Sequence, residues 1–235
     1  MSFDRQLFIW LSLSFIVATV IGTLTHEGGH YLVAKYFGYD AHINYEGTCW
    51  TDTTNSEFIN SVYSKYQKEI SSGKDFPGKE RLHKIWLTRK KNQFWIGLAG
   101  PLETMLTGTI GLGLLFFNRK RFENQIQLSI FQWSLIFISL FWLRQTANLI
   151  VWAGRYFLTG KFFQGGDEMF VASHLHIPGW SLITITAIIG AIILAIVIFK
   201  FVPARQRITF IASGLVGGIS GYILWLVLFG KYILP

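Results

Sequence analysis

Five stretches of this chain, Leu7 to Ala34, Phe94 to Phe117, Leu128 to Val151, Trp180 to Phe201 and Ile208 to Phe229, are apolar over almost their whole length. A helix rises about 1.5 Å per residue, so about 20 such residues cross the hydrocarbon core of a bilayer. No water is available there to satisfy backbone groups, and a helix satisfies them within the segment itself. The chain is therefore expected to be all-α: a polytopic membrane helix bundle of about five transmembrane helices, with a small mixed loop region between the first and second. Its composition agrees, with 51% hydrophobic, 17% aromatic and 14% charged residues, against roughly 25% charged in an ordinary soluble domain. One membrane-embedded domain over 1–235 is expected, with 35–93 as a membrane-proximal cap and 94–235 as the remaining helices.

The formal charge of +8 does not point to nucleic acid, because the basic residues cluster beside apolar segments, where they anchor helices and meet anionic lipid. No nucleic-acid partner is expected; the lipid bilayer is. The oligomeric state is not legible in the sequence. Asp4 and Arg5 leave a weak basic lead, so the first helix is expected to be retained and not cleaved as a signal. Cys49 is the single cysteine, which excludes an internal disulfide framework and a four-thiolate metal site. Any metal has to be held by histidines and carboxylates.

Five crossings place the termini on opposite sides, so the loop Lys35 to Gln93 and the segment Trp152 to Gly179 share one face. Within that loop, Ala41 to Tyr45 alternates as an edge strand does. Asn55 or Ser56 can cap a helix carrying Ile59, Val62, Tyr63, Tyr66 and Ile70 on one stripe and ending near Gly73. Lys79 to Lys91 is basic and contains Trp86; with Trp95 it suits the headgroup region, either as a cap on the bundle or as a membrane-contact element. Gly214 with Gly218, and Gly217 with Gly221, form two small-x-x-x-small pairs that allow another helix to approach the last span closely.

The chemistry sits near the end of the first span, in His26-Glu27-Gly28-Gly29-His30. Histidines four apart on a helix project from one face, so His26 and His30 can hold one zinc ion, with Glu27 beside it as general base. Zinc lowers the pKa of water toward neutrality and polarises a carbonyl, and the carboxylate moves the proton to the leaving amine. Ionisable groups in a spanning helix are costly, about 2.5 to 3.5 kcal/mol each for Asp, Lys and Arg, so three together require a role. Gly28 and Gly29 either leave room at the metal for a peptide or let a neighbouring helix pack closely.

A catalytic zinc has three protein ligands and one open position. The completing ligand is sought on the same face, in Gln164-Gly165-Gly166-Asp167-Glu168, where Asp167 is the first candidate and Glu168 the second; His174 and His176 are the others. Arg144, Asn148 and Glu103 are polar groups within or at the ends of spans. Asn148 is a candidate for binding substrate backbone, or for a hydrogen bond between helices.

Taken together, these motifs resemble the site-2 protease family of intramembrane zinc metallopeptidases. The resemblance covers roughly the first three spans and lies in motifs: His26 to His30 in an early helix, Ala99-Gly100-Pro101-Leu102 as the Gly-Pro motif of a later one, and Asn148-Leu149-Ile150 followed by Asp167. It implies that Asp167 is the third ligand, that Zn2+ is the cofactor, and that a membrane-anchored protein substrate is cleaved in or near the bilayer. It also implies an active site toward the cytosol, in the cell (inner) membrane. The chain departs from the family pattern at Glu103, often Asn there, in lacking a Pro after Asn148, and in having Glu168 where Gly follows the ligand.

Rival chemistries fit less well. Tyr39-Asp40 and Gly166-Asp167 echo an aspartyl intramembrane protease, but Asp40 lies beyond the first span. Ser213 has no histidine partner in the last two spans for a serine mechanism, and six histidines with one i, i+4 pair cannot fill di-iron boxes. From another class, a zinc-binding transporter or sensor would use His26, His30 and a carboxylate without hydrolysis; Glu27 argues against it, since binding alone needs no spare carboxylate beside the ligands.

Overall fold

The computed structural model describes residues 3–161 and 165–235, and it is a helical bundle. Among the described residues, five helices are long and apolar enough to cross a membrane: Arg5–Tyr36, Lys79–Phe117, Ile130–Thr159, Gly179–Phe201 and Arg207–Ile233. The first is α1 (Arg5–Tyr36), opened by Asp4, whose carboxylate accepts from the Leu7 N–H at 3.0 Å. It is followed by β1 (Asp40–Ile43), β2 (Thr48–Thr51) and α2 (Ser56–Ser71). The second crossing belongs to α3 (Lys79–Phe117), which starts well before Phe94. The basic stretch Lys79 to Lys91, expected as part of a loop, is one continuous helix with the span, with Trp86 and Trp95 exposed on it.

The third crossing is α4 (Ile130–Ser139), capped by a reciprocal Ser129–Gln132 box, then a 3-10 turn, Leu140–Trp142, then α5 (Leu143–Thr159). A short α6 (Asp167–His174) leads to α7 (Gly179–Ile196), which ends in a π-helical turn, Val197–Phe201. The last crossing is α8 (Arg207–Tyr222), a π-helical stretch, Ile223–Phe229, and α9 (Gly230–Ile233).

Small residues decide how closely α1 and α8 approach. A Cβ on Gly217 would overlap the Ser12 carbonyl oxygen, and one on Gly221 would stand 2.9 Å from Thr19 Cβ. Gly214 faces the Phe15 ring, whereas Gly218 faces open space, so of the two glycine pairs it is Gly217 and Gly221 that seat the helix. The larger apolar core lies toward the start of α1, where Leu11 and Phe15 meet Leu115, Ile136, Val197, Phe201 and Phe210. A second, smaller cluster, Ala34, Tyr39, Ala41 and Ile96, packs at the opposite end of α1 under the hairpin.

The expected strand over 41–45 is found as β1, which starts at Asp40 and stops at Ile43, leaving Asn44 and Tyr45 in the turn; it pairs antiparallel with β2 in the register Ala41 to Trp50 and Ile43 to Thr48. The partner strand was not legible: Thr48-Cys49-Trp50-Thr51 is too short and mixed to carry a signal. The hairpin is fastened on three sides. Arg89 of α3 holds Asp52 at 2.6 Å, the Tyr45 carbonyl accepts from the Trp225 indole at 2.8 Å, and the Tyr45 N–H donates to the Leu234 carbonyl at 2.9 Å. In α2 only Val62 of the expected stripe is buried, and Asn55 stands at the N-cap with φ 59° and no side-chain cap bond.

Candidate metal centre

His26, Glu27 and His30 lie in the last third of α1 and are among the most deeply buried polar side chains of the chain, at 1%, 7% and 4% exposure. Their partners come from four other elements, α3, α5, α6 and β2. α3 crosses the histidine face of α1 and fixes both rings. The His30 Nδ1 lies 2.6 Å from the Ile96 carbonyl oxygen, which can only accept, so Nδ1 carries the proton. The Thr104 hydroxyl donates to the Gly100 carbonyl at 3.1 Å, so toward His26 Nδ1, at 2.9 Å, it accepts. Both rings therefore turn an Nε2 lone pair inward, the tautomer that a ring nitrogen needs to bind a metal.

The two Nε2 atoms stand 3.3 Å apart. Asp167, the first residue of α6, brings Oδ2 to 2.9 Å from the His26 Nε2 and 3.5 Å from that of His30. Three lone-pair atoms at such spacing repel one another unless a cation stands among them. Tetrahedral zinc with bonds of about 2.0 to 2.1 Å separates its ligands by about 3.3 Å, so this donor set fits zinc in both spacing and type. At the N-terminus of α6 the helix dipole favours the charged carboxylate. Burial raises the Asp167 carboxyl, but in the metal-free protein a ring that takes up a second proton on Nε2 donates to it, and such bonds from His26 and His30 outweigh burial and hold the group well below the usual carboxylate range.

Glu27 offers a carboxylate oxygen within 4.8 Å of ring nitrogens of both histidines. It is held from the other side: the Thr48 hydroxyl, on β2, lies 3.1 Å from Oε2 and 2.8 Å from the Glu27 carbonyl, and Arg144 Nη2 of α5 lies 4.0 Å from Oε1. The Arg144 Nε is buried without a partner among the described residues. The hairpin thus positions Glu27.

Room at the centre is made by Gly100. A Cβ there would overlap His30 Nε2 and stand 2.8 Å from His26 Nε2. Gly29 instead serves packing, since its Cβ would meet the Ala99 oxygen at 2.8 Å, and Gly28 faces open space. Gly100 and Pro101 lie in the interior of α3.

The remaining candidates lie elsewhere. Asn148 donates to Glu168 Oε1 at 3.0 Å, so the two side chains engage each other between α5 and α6, as in the interhelical alternative. His174 Nδ1 pairs with the Phe170 carbonyl of its own helix, and its ring packs on Phe170 and Phe94. His176 is exposed. Glu103 accepts from Thr107, with its other oxygen buried and unpaired. Gln164 lies outside the described residues. Thr48, Thr104 and the Ile96 carbonyl escaped the sequence reading; Thr104 alone left a trace, as the residue one turn beyond Gly100 on the same face of α3.

Comparison with protein-family models, curated proteins and solved structures finds no match to this chain.

Proposed function

We propose that the protein is a zinc-dependent intramembrane endopeptidase, hydrolysing a peptide bond of membrane-tethered protein substrates, as its resemblance to the site-2 protease family implies. The observation that carries this reading is the convergence of His26 Nε2, His30 Nε2 and Asp167 Oδ2 within 3.5 Å of one another, with the spare carboxylate Glu27 at the same place.

His26, His30 and Asp167 would hold the ion, which when bound supplies Lewis acidity for hydrolysis. Glu27 takes the proton from the attacking water and returns it to the leaving amine. Thr48 keeps one of its oxygens in place for that transfer. Arg144, 4.0 Å from the other Glu27 oxygen, lends positive charge beside that base. In the orientation the resemblance implies, this face is cytosolic and the membrane is the cell's inner one.

The test uses purified protein in phosphatidylcholine proteoliposomes with single-span model peptides. Glu27→Gln is expected to keep its zinc and to lose cleavage by at least about 10²-fold, within the range for a general base. A variant that cleaves as fast as the parent removes the protease reading. Zinc flux across the proteoliposome would favour a transporter instead.

A further inference from the structure

On the part of α3 that precedes its span, Arg81, Lys84, Arg89 and Asn92 line a cleft of about 180 Å³, together with Asp52 and Asn55 from the segment between β2 and α2. Its charges do not balance. Arg89 is spent on the wall itself: it holds Asp52 at 2.6 Å and donates to the Asp52 and Thr54 carbonyls at 3.3 and 3.2 Å. Arg81 lies over the Phe58 ring, 4.1 Å from its centroid, a contact that steadies the guanidinium and leaves its N–H groups for other acceptors. Among the described residues neither Arg81 nor Lys84 has a carboxylate at ion-pair distance, and Glu80, one turn before Lys84, makes no pair with it. Asn55, at φ 59°, makes no capping bond with its side chain. The cleft thus presents two uncompensated cations and an amide.

We propose that this cleft binds a phosphomonoester. At pH 7 such a group carries a charge of about −1.5 to −2 and three acceptor oxygens, which two cations match. The planar guanidinium of Arg81 can take two of those oxygens at once, and Lys84 and Asn55 are donors for the third. Height selects the kind of ester. Trp95, exposed one turn after Asn92, suits the membrane interface. The helical rise places Lys84 about 16 Å and Arg81 about 21 Å from Trp95 along the axis. A headgroup layer of about 5 to 7 Å on each side of the hydrocarbon leaves both cations beyond the phosphates of ordinary phospholipids. The phosphate they meet is therefore one that projects from the surface at the end of a headgroup, or one free in solution. This binding requires neither zinc nor cleavage.

The experiment is calorimetry on the full chain in a neutral detergent with three probes: short-chain phosphatidylinositol monophosphate, short-chain phosphatidylinositol, which lacks only the phosphomonoester, and inorganic phosphate. A charge-assisted hydrogen bond is worth about tenfold or more, so the parent is expected to bind the monophosphate at least about tenfold tighter than phosphatidylinositol. Arg81→Gln with Lys84→Gln should bring the two lipids within about twofold. Lys90→Gln with Lys91→Gln removes the same charge from exposed residues of α3 that do not line the cleft, and should leave the preference intact. Asn55→Asp puts a carboxylate in the cleft while suiting both the left-handed backbone and a helix N-cap. It is expected to weaken the monophosphate by about tenfold with helical content unchanged.

Inorganic phosphate bound by the parent and lost in the Arg81 and Lys84 variant, with no preference between the lipids, upholds the site with a soluble ester as its ligand. Equal binding of the two lipids with no binding of inorganic phosphate overturns the site. So does a preference that survives in the Arg81 and Lys84 variant, or one lost as fully in the Lys90 and Lys91 variant, as a diffuse basic surface would give. Should the Arg81 and Lys84 variant lose helical content, parent-like binding by Asn55→Asp overturns the site instead.

Discussion

At the scale of single residues, the proposed centre depends on groups outside its three candidate ligands. Thr104 and the Ile96 carbonyl fix which nitrogen of each ring faces inward, and partners of this kind are worth about 10- to 100-fold in metal affinity. Thr104→Val keeps the volume and removes the acceptor for His26. It is expected to weaken zinc binding by about that factor, measured by competition with a chelator, with little change in helical content by circular dichroism. Gly100→Ala places a methyl group against both Nε2 atoms. Its loss should exceed the range of an outer-shell change, and a variant that binds zinc like the parent would exclude Gly100 as the floor of the site. The sequence showed the ligands more clearly than their supports, because a ligand pair has a spacing rule on one helix whereas a threonine on another helix has none.

At the scale of elements, α6 contributes Asp167 and little else to the centre, so the pairing of Asp167 with the histidines is a docking contact between α6 and α1. The Asp167 carboxyl titrates below its unfolded value. Its contribution to stability is then present above about pH 3.9, the ordinary aspartate value, and is lost as pH falls through the lower folded value. In metal-free protein, the α6 amides should keep their protection against hydrogen exchange, corrected for the intrinsic rate, at pH 5 and lose part of it by pH 3; equal protection factors at both would remove the docking role. The contact of α1 with α8 answers to a different change. Gly217→Leu has no space against Ser12 and Phe15 and is expected to cost about 1 to 3 kcal/mol in thermal or denaturant unfolding. Spans were legible because apolar length is written in the sequence. The start of α3 was not: Lys79 to Lys91 carries the charges of a loop, and only its continuity with Phe94 onward makes it helix.

At the scale of the whole molecule, the hairpin joins parts that the sequence keeps far apart. Thr48 reaches Glu27, Asp52 is held by Arg89, and Tyr45 is held by Trp225 and Leu234. Trp225→Phe retains the ring and removes the indole donor, so proteolysis or hydrogen exchange should find the turn at Asn44 to Gly47 more open while the zinc content is unchanged. Equal zinc with equal protection would mean that the last span does not restrain the hairpin. None of these long-range links had a sequence signature, because each depends on which helix ends meet at one membrane face.

Asp167 stands 141 residues after His26, and that separation sets an order of events during synthesis. When the first two spans have left the ribosome, the nascent chain holds two imidazoles and a glycine-lined space, a weak trap for metal. The carboxylate that completes the trap is translated only after the third span. On the proposed reading, a protease would thus stay inactive while its first spans are inserted, with the ion loaded only after Asp167 has been made.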